Sequence, residues 1–196
     1  MKNMGCFLRG DNQMSLSEKD FEYLKEHIRQ VPDFPKPGIL FLDITTSVKD
    51  AKSLKLTLDY LQEAVQGLGV DYVVGIESRG FIYGAALADR IGAGFIVMRK
   101  PNKLPSETIS ESYDLEYGSN TIEIHADAIK PGDRAIIIDD LLATGGTALA
   151  AVNLVRKAGG EVAAVVCPIE LTPLKGRERL EAAGAKVISM LKYDLE

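Results

Sequence analysis

The residues with the clearest chemical potential in this chain lie in one stretch, AIIIDDLLATGGTALAA, residues 135–151. Its apolar run ends at two adjacent acids, Asp139 and Asp140. Carboxylates repel phosphate but accept hydrogen bonds from the hydroxyls of a sugar diol. In the loop that follows, glycines allow backbone N–H groups to approach an anion, and threonine hydroxyls add donors. The stretch therefore predicts a site for a ribose 5-phosphate. The predicted phosphate cradle consists of Ala143, Thr144, Gly145, Gly146 and Thr147.

Other phosphate motifs fit this stretch poorly. A Walker loop needs a lysine after its second glycine, whereas Thr147 and Ala148 follow Gly146 here. No G-x-G-x-x-G dinucleotide pattern is present in the stretch. The structural alternative is an ordinary strand-to-helix turn whose acids complement the helix dipole. Such a turn has no need of two acids, two threonines and two glycines in this order, so the binding site is favoured.

The elements that must position this site alternate along the chain. Apolar runs alternate with helical patterns over most of the sequence, and the runs are VDYVVGIE, AGFIVMRK, RAIIIDD, EVAAVVCPIEL and AKVISMLKY. Continuous apolar strands between helices predict an α/β fold with a parallel sheet flanked by helices on both faces. Ligands of such sheets bind beyond the carboxyl ends of the strands, where Asp139 and Asp140 fall.

An N-terminal segment precedes this core. Ser15 or Ser17 is expected to cap a helix with one apolar face, and the proline-rich PDFPKPG ends it. The residues of that face are Phe21, Leu24, Ile28 and Val31. The segment from Phe34 to Thr45 is expected to form a hood over the site.

A polar insert at about residues 101–125 separates two of the strands and is expected to form a flap. Apolar and polar residues alternate from Ile109 to Tyr117, which predicts a β-hairpin. The turn is expected at Gly118–Asn120, and the polar stretch Asn102–Ser110 is expected to be the mobile tip.

Composition limits the class of protein. With 196 residues, 46% of them hydrophobic, the chain is expected to be a soluble protein with a single domain at 14–196. Residues 1–13 are interpreted as an upstream extension or a remnant of expression. The formal net charge of −5 argues against nucleic-acid binding, and no apolar stretch is long enough to cross a membrane. Cys6 and Cys167 are expected to be reduced thiols, which indicates the cytoplasm.

Six segments together resemble the type I phosphoribosyltransferases, and in particular those that act on adenine. They are FPKPGILFLDIT, GIESRGF, RKPNKLP, SYDLEYG, IIIDDLLATGGT and IELTPLKGRERL, and the resemblance covers the chain from Ser15 onward. It implies an enzyme of purine salvage that transfers the 5-phosphoribosyl group of PRPP to N9 of adenine, giving AMP and pyrophosphate with Mg²⁺. It also implies a homodimer. The metal is expected to be bound mainly through PRPP, without a dedicated protein ligand.

The resemblance also implies roles for single residues. The pyrophosphate loop, Glu77, Ser78, Arg79 and Gly80, is expected to contain a non-proline cis peptide. Further pyrophosphate contacts are expected from Arg99, Lys100 and Lys103, some of them across the dimer interface. Glu116 and Arg79 are the expected catalytic residues, and Tyr117 is expected to belong to the lid. Adenine is expected to contact the hood through main-chain groups of Ile39, Leu40, Phe41 and Leu42.

The residues alone leave several of these roles open. Arg79 is as often a surface arginine as a ligand, and the basic cluster around Lys100 is ordinarily a solvated loop. Taken alone, Glu116 is more readily interpreted as a residue on the polar face of a hairpin strand than as a functional residue. Leu42 stands where the family commonly has a basic residue, which affects binding only if that side chain, rather than its backbone, is used.

Two other functions compete with this one. A purine-responsive repressor could use the same PRPP site, but it would need a basic DNA-binding domain, and only about thirty residues precede the core. A phosphoribosyltransferase for a 6-oxopurine is the nearer alternative. Those enzymes place the residues that recognise the base late in the chain, whereas the distinctive proline-rich segment is at the front here.

Overall fold

The computed structural model describes residues 16–114 and 119–194 of the chain. The helices are α1 (Glu18–Glu26), α2 (Thr45–Lys49), α3 (Ala51–Ala64), α4 (Gly80–Ile91), α5 (Gly146–Lys157) and α6 (Gly176–Ala182). The strands are β1 (Arg29–Val31), β2 (Phe41–Asp43), β3 (Tyr72–Ile76), β4 (Gly94–Met98), β5 (Thr108–Asp114), β6 (Ser119–His125), β7 (Arg134–Ile138), β8 (Leu141–Leu142), β9 (Glu161–Leu171) and β10 (Val187–Tyr193). A 3₁₀ turn covers Thr172–Leu174. No helix within the described ranges has the length and apolar character needed to cross a membrane.

The main sheet confirms the predicted parallel α/β architecture. Its strands lie in the order β10-β9-β7-β3-β4, and every neighbouring pair is parallel. The short β8 pairs with the end of β9, parallel to it. The carboxyl ends of β3 and β7 are therefore adjacent, which brings the loops that follow them together.

Both faces of this sheet are covered, as the continuous apolar strands predicted. Ile137 packs with helix α5 and the β5–β6 hairpin, whereas its neighbours Ile136 and Ile138 pack with α1, α3 and α4 on the other face. All three side chains are fully buried. Because alternate residues of a strand point to opposite faces, every position of these central strands has to be apolar.

The N-terminal helix is shorter than predicted. Ser17 caps α1, and its capping box with Asp20 is complete. The prediction that Ile28 and Val31 continue the helical face is wrong, because α1 ends at Glu26 and residues 29–31 form β1. That strand pairs antiparallel with β2, Val31 opposite Phe41. Strand pairing has overridden the helical spacing of these residues.

The predicted hairpin is present, but its turn lies elsewhere. Strands β5 and β6 pair without a bulge from Thr108 opposite His125 to Asp114 opposite Ser119. The turn predicted at Gly118–Asn120 is wrong, since Asn120 lies within β6 opposite Tyr113. Residues 115–118, which connect the strands, lie outside the described ranges.

The polar stretch Asn102–Ser110 is not the tip of the hairpin. Its last three residues, Thr108–Ser110, begin β5 and pair with Glu123–His125 at the base. Polar residues are compatible with this strand because one face of an antiparallel hairpin can remain exposed.

Candidate active site

The predicted phosphate cradle, residues 143–147, joins β8 to helix α5. Gly145 is the N-cap of α5 with φ 76°, a left-handed conformation that favours glycine. Because glycine has no capping side chain, the first N–H groups of the helix remain available to an external acceptor. With Asp139, residues 141–148 line a cavity of about 80 Å³. The loop thus has the backbone donors and the positive end of a helix dipole that binding of a small anion would need.

The two predicted ribose ligands occupy different environments. Asp139 lines the cavity and is half-buried, and its Oδ1 accepts a hydrogen bond from the N–H of Asp140 at 2.9 Å. Burial, together with the charge of Asp140, raises the pKa of the Asp139 carboxyl well above its ordinary value. The Asp140 side chain is only 3% exposed and lies against Arg79. In this arrangement Asp139 alone is open to a diol, and Asp140 is covered.

The predicted pyrophosphate loop connects β3 to α4 beside these acids. The peptide bond between Glu77 and Ser78 is cis, which confirms the expected non-proline cis peptide. Gly80 packs closely on the end of β7, because a Cβ there would lie 2.6 Å from the carbonyl oxygen of Ile138. This contact places Arg79 next to Asp140.

Arg99 is held by Glu77 of the pyrophosphate loop and by the segment that follows β4. Its guanidinium donates to both carboxylate oxygens of Glu77 at 3.2 and 3.3 Å, and to the carbonyl of Lys103 at 3.1 Å. Burial opposes ionisation of Glu77, but the Lys100 N–H and the Arg99 side chain outweigh it and lower the pKa of Glu77. The backbone of Arg99 also pairs with Glu123 of the hairpin. Arg99 therefore links the pyrophosphate loop to the hairpin and to the segment around Lys103. The side chains of Lys100 and Lys103 are exposed.

The hood lies over the same end of the sheet. The Phe41 ring stacks edge-on against Phe34, and the guanidinium carbon of Arg79 is 5.4 Å from its centroid. Ile39 is exposed, and its main-chain groups are both engaged in a local turn with Phe34 and Lys36. Leu40 is half-buried. Leu42 is only 2% exposed and packs in the core, so its side chain cannot reach a ligand.

The hairpin is fastened along helix α5. The Thr147 hydroxyl donates to the Tyr113 hydroxyl at 3.1 Å, which joins the cradle to β5. At the other end of the helix, the Lys157 ammonium donates to the carbonyl of Ser110 at 2.9 Å. The alternating pattern predicted Tyr113 as a residue of the hairpin, and no role in the site was predicted for it.

A larger concavity of about 520 Å³ lies at the opposite end of the sheet, beside the C-terminal end of α3 and the loop before β3. Asp59, Gln66 and Ile91 are among its lining residues. Because it is at the amino ends of the strands, it is remote from the carboxylates and the cradle. Position in a parallel sheet is the better guide to the site than cavity size.

Most predicted site residues are brought together by the structure. The cradle, the two aspartates, the pyrophosphate loop and the hood meet at the carboxyl ends of β3 and β7. Glu116 and Tyr117 lie outside the described residues. Sequence reasoning missed the contacts of Tyr113 and the ion pair between Glu170 and Arg177, whose 2.6 Å contact lies behind the cradle. Glu170 and Arg177 do fall within IELTPLKGRERL, a segment to which no role was assigned.

Comparison with known proteins yields consistent matches. Residues 47–193 match the family described as the phosphoribosyl transferase domain. Adenine phosphoribosyltransferase of Escherichia coli (strain K12 / DH10B) is 50% identical over 180 residues, 92% of this chain and 98% of that protein.

Solved structures show the same likeness. Adenine phosphoribosyltransferase from Rhodothermus marinus superposes with a TM-score of 0.85 at 51% identity, over 90% of this chain and 100% of that one. The Saccharomyces cerevisiae enzyme, complexed with an imino-altritol bisphosphate and adenine, gives 0.82 at 39% identity, over 88% of this chain and 99% of that one.

Proposed function

The chain belongs to the adenine phosphoribosyltransferases of the phosphoribosyl transferase domain family, and we propose that it transfers the 5-phosphoribosyl group of PRPP to N9 of adenine in purine salvage. The bond between C1′ and the pyrophosphate oxygen breaks, and its electron pair leaves with pyrophosphate. N9 forms the new bond to C1′ and the base loses one proton, which gives AMP. The observation that carries the proposal is the anion cradle at the end of β7, next to two carboxylates.

We assign the binding groups from this geometry. The N–H groups of residues 143–147 hold the 5-phosphate, and Asp139 accepts hydrogen bonds from the ribose diol. Asp140 also accepts a hydrogen bond from the diol once the Arg79 side chain has turned away from it. Arg79, Lys100 and Lys103 stabilise the charge that develops on departing pyrophosphate, with Arg99 fixing the loop. The cradle and the pyrophosphate loop are held by close backbone contacts at Gly145 and Gly80, which suits stabilisation of a transition state.

The hood supplies the site for the base. The Phe41 ring offers a face for stacking, and Leu40 to Leu42 offer main-chain donors and acceptors to the adenine edge. We assign Glu116 to proton transfer at the imidazole edge of the base, and Tyr117 to the same lid. Closure of the flap would exclude water while the oxocarbenium-like carbon is exposed.

Mg²⁺ fits this site as a partner of PRPP. Around the pyrophosphate loop the side chains are mainly cationic, and among the described residues no group of three metal-ligating side chains occurs. Mg²⁺ readily keeps water and phosphate oxygens as ligands, so the metal needs no dedicated protein ligand here. When bound, it would neutralise charge on the pyrophosphate.

A homodimer in the cytoplasm is the expected form of the enzyme. An apolar patch lies beside the edge strand β4, where Ile82 is 40% exposed and the Phe81 and Phe95 rings contact each other. We propose that a second copy covers it. Sedimentation should give a dimer that Ile82→Glu dissociates; a wild-type monomer would remove this proposal.

The free, fully buried thiol of Cys167 suits a reducing compartment.

The activity is tested with the purified chain, PRPP, Mg²⁺ and one base at a time. We expect adenine to yield AMP and pyrophosphate in equal amounts. Hypoxanthine and guanine should react far more slowly. Preferential use of either oxopurine would overturn the adenine assignment, and absence of nucleotide with all three bases would overturn the transferase.

A further inference from the structure

The segment IELTPLKGRERL, residues 169–180, has no part in the proposed function, yet its Gly176 packs directly against the backbone of the phosphate cradle. It runs from the carboxyl end of β9 through the 3₁₀ turn into α6. Within it, Lys175 has φ 57°, a left-handed conformation that a lysine keeps only where its surroundings enforce it. The residues on either side of this bend contact the cradle and the sheet.

Gly176 and Gly145 face each other across a close backbone contact. A Cβ on Gly176 would lie 2.2 Å from the carbonyl oxygen of Ala143, and a Cβ on Gly145 would lie 2.9 Å from the carbonyl oxygen of Gly176. Neither distance can be accommodated without moving backbone. The position of residue 176 therefore sets the position of the cradle.

Arg177, the next residue, is held by a dense set of hydrogen bonds from its guanidinium group. Its Nε and Nη2 donate to the two carboxylate oxygens of Glu170 at 2.9 and 2.6 Å. The remaining N–H groups reach the carbonyl of Val187, the hydroxyl of Ser189 and the carboxylate of Glu181. All five donors of this guanidinium thus have acceptors.

Glu170 anchors this arginine to the sheet. It lies in β9 opposite Leu142 of β8, the strand that leads into the cradle, and is 3% exposed. Its carboxylate also accepts a hydrogen bond from Ser189 in β10. Burial alone would favour the neutral acid, but the bonds from Arg177 and Ser189 lower the pKa of Glu170, so that the pair is ionised.

We propose that Glu170 and Arg177 are positioning residues for the 5-phosphate of PRPP, acting through Gly176 on the cradle. The bidentate pair fixes the first turn of α6, and with it Gly176. Because Gly176 packs against the backbone of residues 143–145, the N–H groups of the cradle keep the geometry that binding of an anion needs. The inference rests on the proposed phosphate role of the cradle. It predicts an effect on ligands that carry the 5-phosphate and none on pyrophosphate, which binds at the other loops.

The test compares the affinity for ribose 5-phosphate with the affinity for magnesium pyrophosphate, each measured by calorimetry on folded protein. Arg177→Lys and Glu170→Gln keep the size of the side chain and remove the bidentate pair. We expect both to weaken ribose 5-phosphate binding about tenfold, which corresponds to about 1.4 kcal/mol. Gly176→Ala, which moves the cradle directly, should weaken it more. Pyrophosphate binding should be unchanged in all three.

Arg90→Lys is the matched control. Arg90 is as exposed as Arg177, at 26%, and pairs with Asp59 at 2.8 Å, but it lies at the far end of the sheet. We expect it to change neither affinity. Should Arg177→Lys fail to fold, Glu170→Gln and Gly176→Ala provide the same comparison. Unchanged ribose 5-phosphate affinity, or equal losses for both ligands, would overturn the inference.

Thr144→Val separates this inference from the proposed function. If Thr144→Val weakens ribose 5-phosphate binding and the variants of Glu170 and Arg177 do not, the cradle stands and the positioning role is wrong. If the wild-type chain binds no ribose 5-phosphate, the proposed function itself has failed.

Discussion

Arg79 Nε lies 2.7 Å from Oδ2 of Asp140, so a guanidinium of the proposed pyrophosphate loop covers a carboxylate of the proposed ribose site. Although the distance is short, Oδ2 receives no hydrogen bond of good geometry, and the contact is chiefly electrostatic. The Arg79 side chain is 42% exposed. Binding of PRPP would replace this pair by two others, a diol on Asp140 and pyrophosphate on Arg79.

Arg79→Gln should therefore affect two ligands in opposite directions. Ribose 5-phosphate should bind a few-fold more tightly, since its diol no longer competes with Arg79 for the Asp140 carboxylate. Magnesium pyrophosphate should bind more weakly, because a cation is lost. Calorimetry with each ligand measures both. Losses of similar size for both ligands would show that Arg79 does not cover Asp140 in solution.

Asp139→Asn should stabilise the ligand-free protein and weaken the binding of PRPP. The folded-state pKa of Asp139 is raised, so ionisation of this group costs stability as pH rises from the ordinary aspartate value through the raised one. Removing the charge should raise Tm at pH 7, where about 1 kcal/mol corresponds to about 2–4 °C. Thermal melts from pH 5 to 8 and kcat/KM for PRPP check this. Asp140→Asn, which loses an ion pair, should give no such gain, and a lower Tm for Asp139→Asn would contradict the prediction.

The affinity for PRPP should depend on pH through the same group. A protonated Asp139 carboxyl accepts fewer hydrogen bonds than a carboxylate. PRPP binding should weaken as pH falls through the raised pKa, and Asp139→Asn should lose that dependence. Calorimetry across pH, with pyrophosphate as the reference ligand, measures it; identical pH profiles for the two proteins would exclude Asp139 as the titrating group.

Tyr113→Phe should disconnect the hairpin from the cradle. It removes the hydrogen bond between Thr147 and Tyr113, worth about 1 kcal/mol, and keeps the ring. We expect kcat to fall several-fold with little change in KM for adenine, because the strand leads directly to residues 115–118. Ser112→Ala removes a hydroxyl pair from the exposed face of the same hairpin and should be neutral. Equal rates for both variants would argue against a role for Tyr113.

Glu116→Gln should slow the formation of the bond between N9 and C1′ much more than it weakens the binding of PRPP. A positioned acid or base contributes about 10²-fold or more to the chemical step. Rapid-quench single turnovers are the appropriate measurement, since slow product release could mask the effect. Glu107→Gln, on an exposed residue before the hairpin, is the control. A normal single-turnover rate would leave Glu116 without a chemical role.

Leu42→Ala should reduce stability and leave the choice of base intact. Its side chain is buried, so truncation should cost about 2–5 kcal/mol. Ile39→Ala, at an exposed position, should change stability by less than about 0.5 kcal/mol. Main-chain reading of adenine makes two polar mismatches with an oxopurine, or about 30-fold to 10⁴-fold discrimination. Chemical denaturation and kcat/KM for three bases test both statements; loss of the adenine preference in Leu42→Ala would show that the side chain matters.

The sequence was most informative where local rules decide the structure. The apolar runs predicted the parallel strands because a strand buried on both faces tolerates few polar residues. The stretch around Gly145 predicted the cradle, since its glycines are placed where a helix begins. Long-range pairings were less accessible: the spacing of Ile28 and Val31 fits a helix, and only contact with β2 makes Val31 part of a strand.

The least predictable features are contacts between distant charged residues. Nothing local to Arg79 indicates Asp140 as its partner, and nothing local to Arg177 indicates that all its donors converge on β9, β10 and α6. Such pairs depend on strand order, and the sequence pattern predicts strands without their order. The resemblance to a family supplied roles for site residues but none for the segment behind the cradle.

The facing glycines at 145 and 176 have a consequence for recombining this domain with its relatives. Two segments far apart in the chain meet backbone to backbone, with no side chain between them to absorb a difference in shape. A chimera that takes residues 142–147 from one parent and 169–177 from another would join surfaces adjusted to different partners. Crossovers should therefore take both segments from the same parent. Single-site libraries at either glycine should contain few active members.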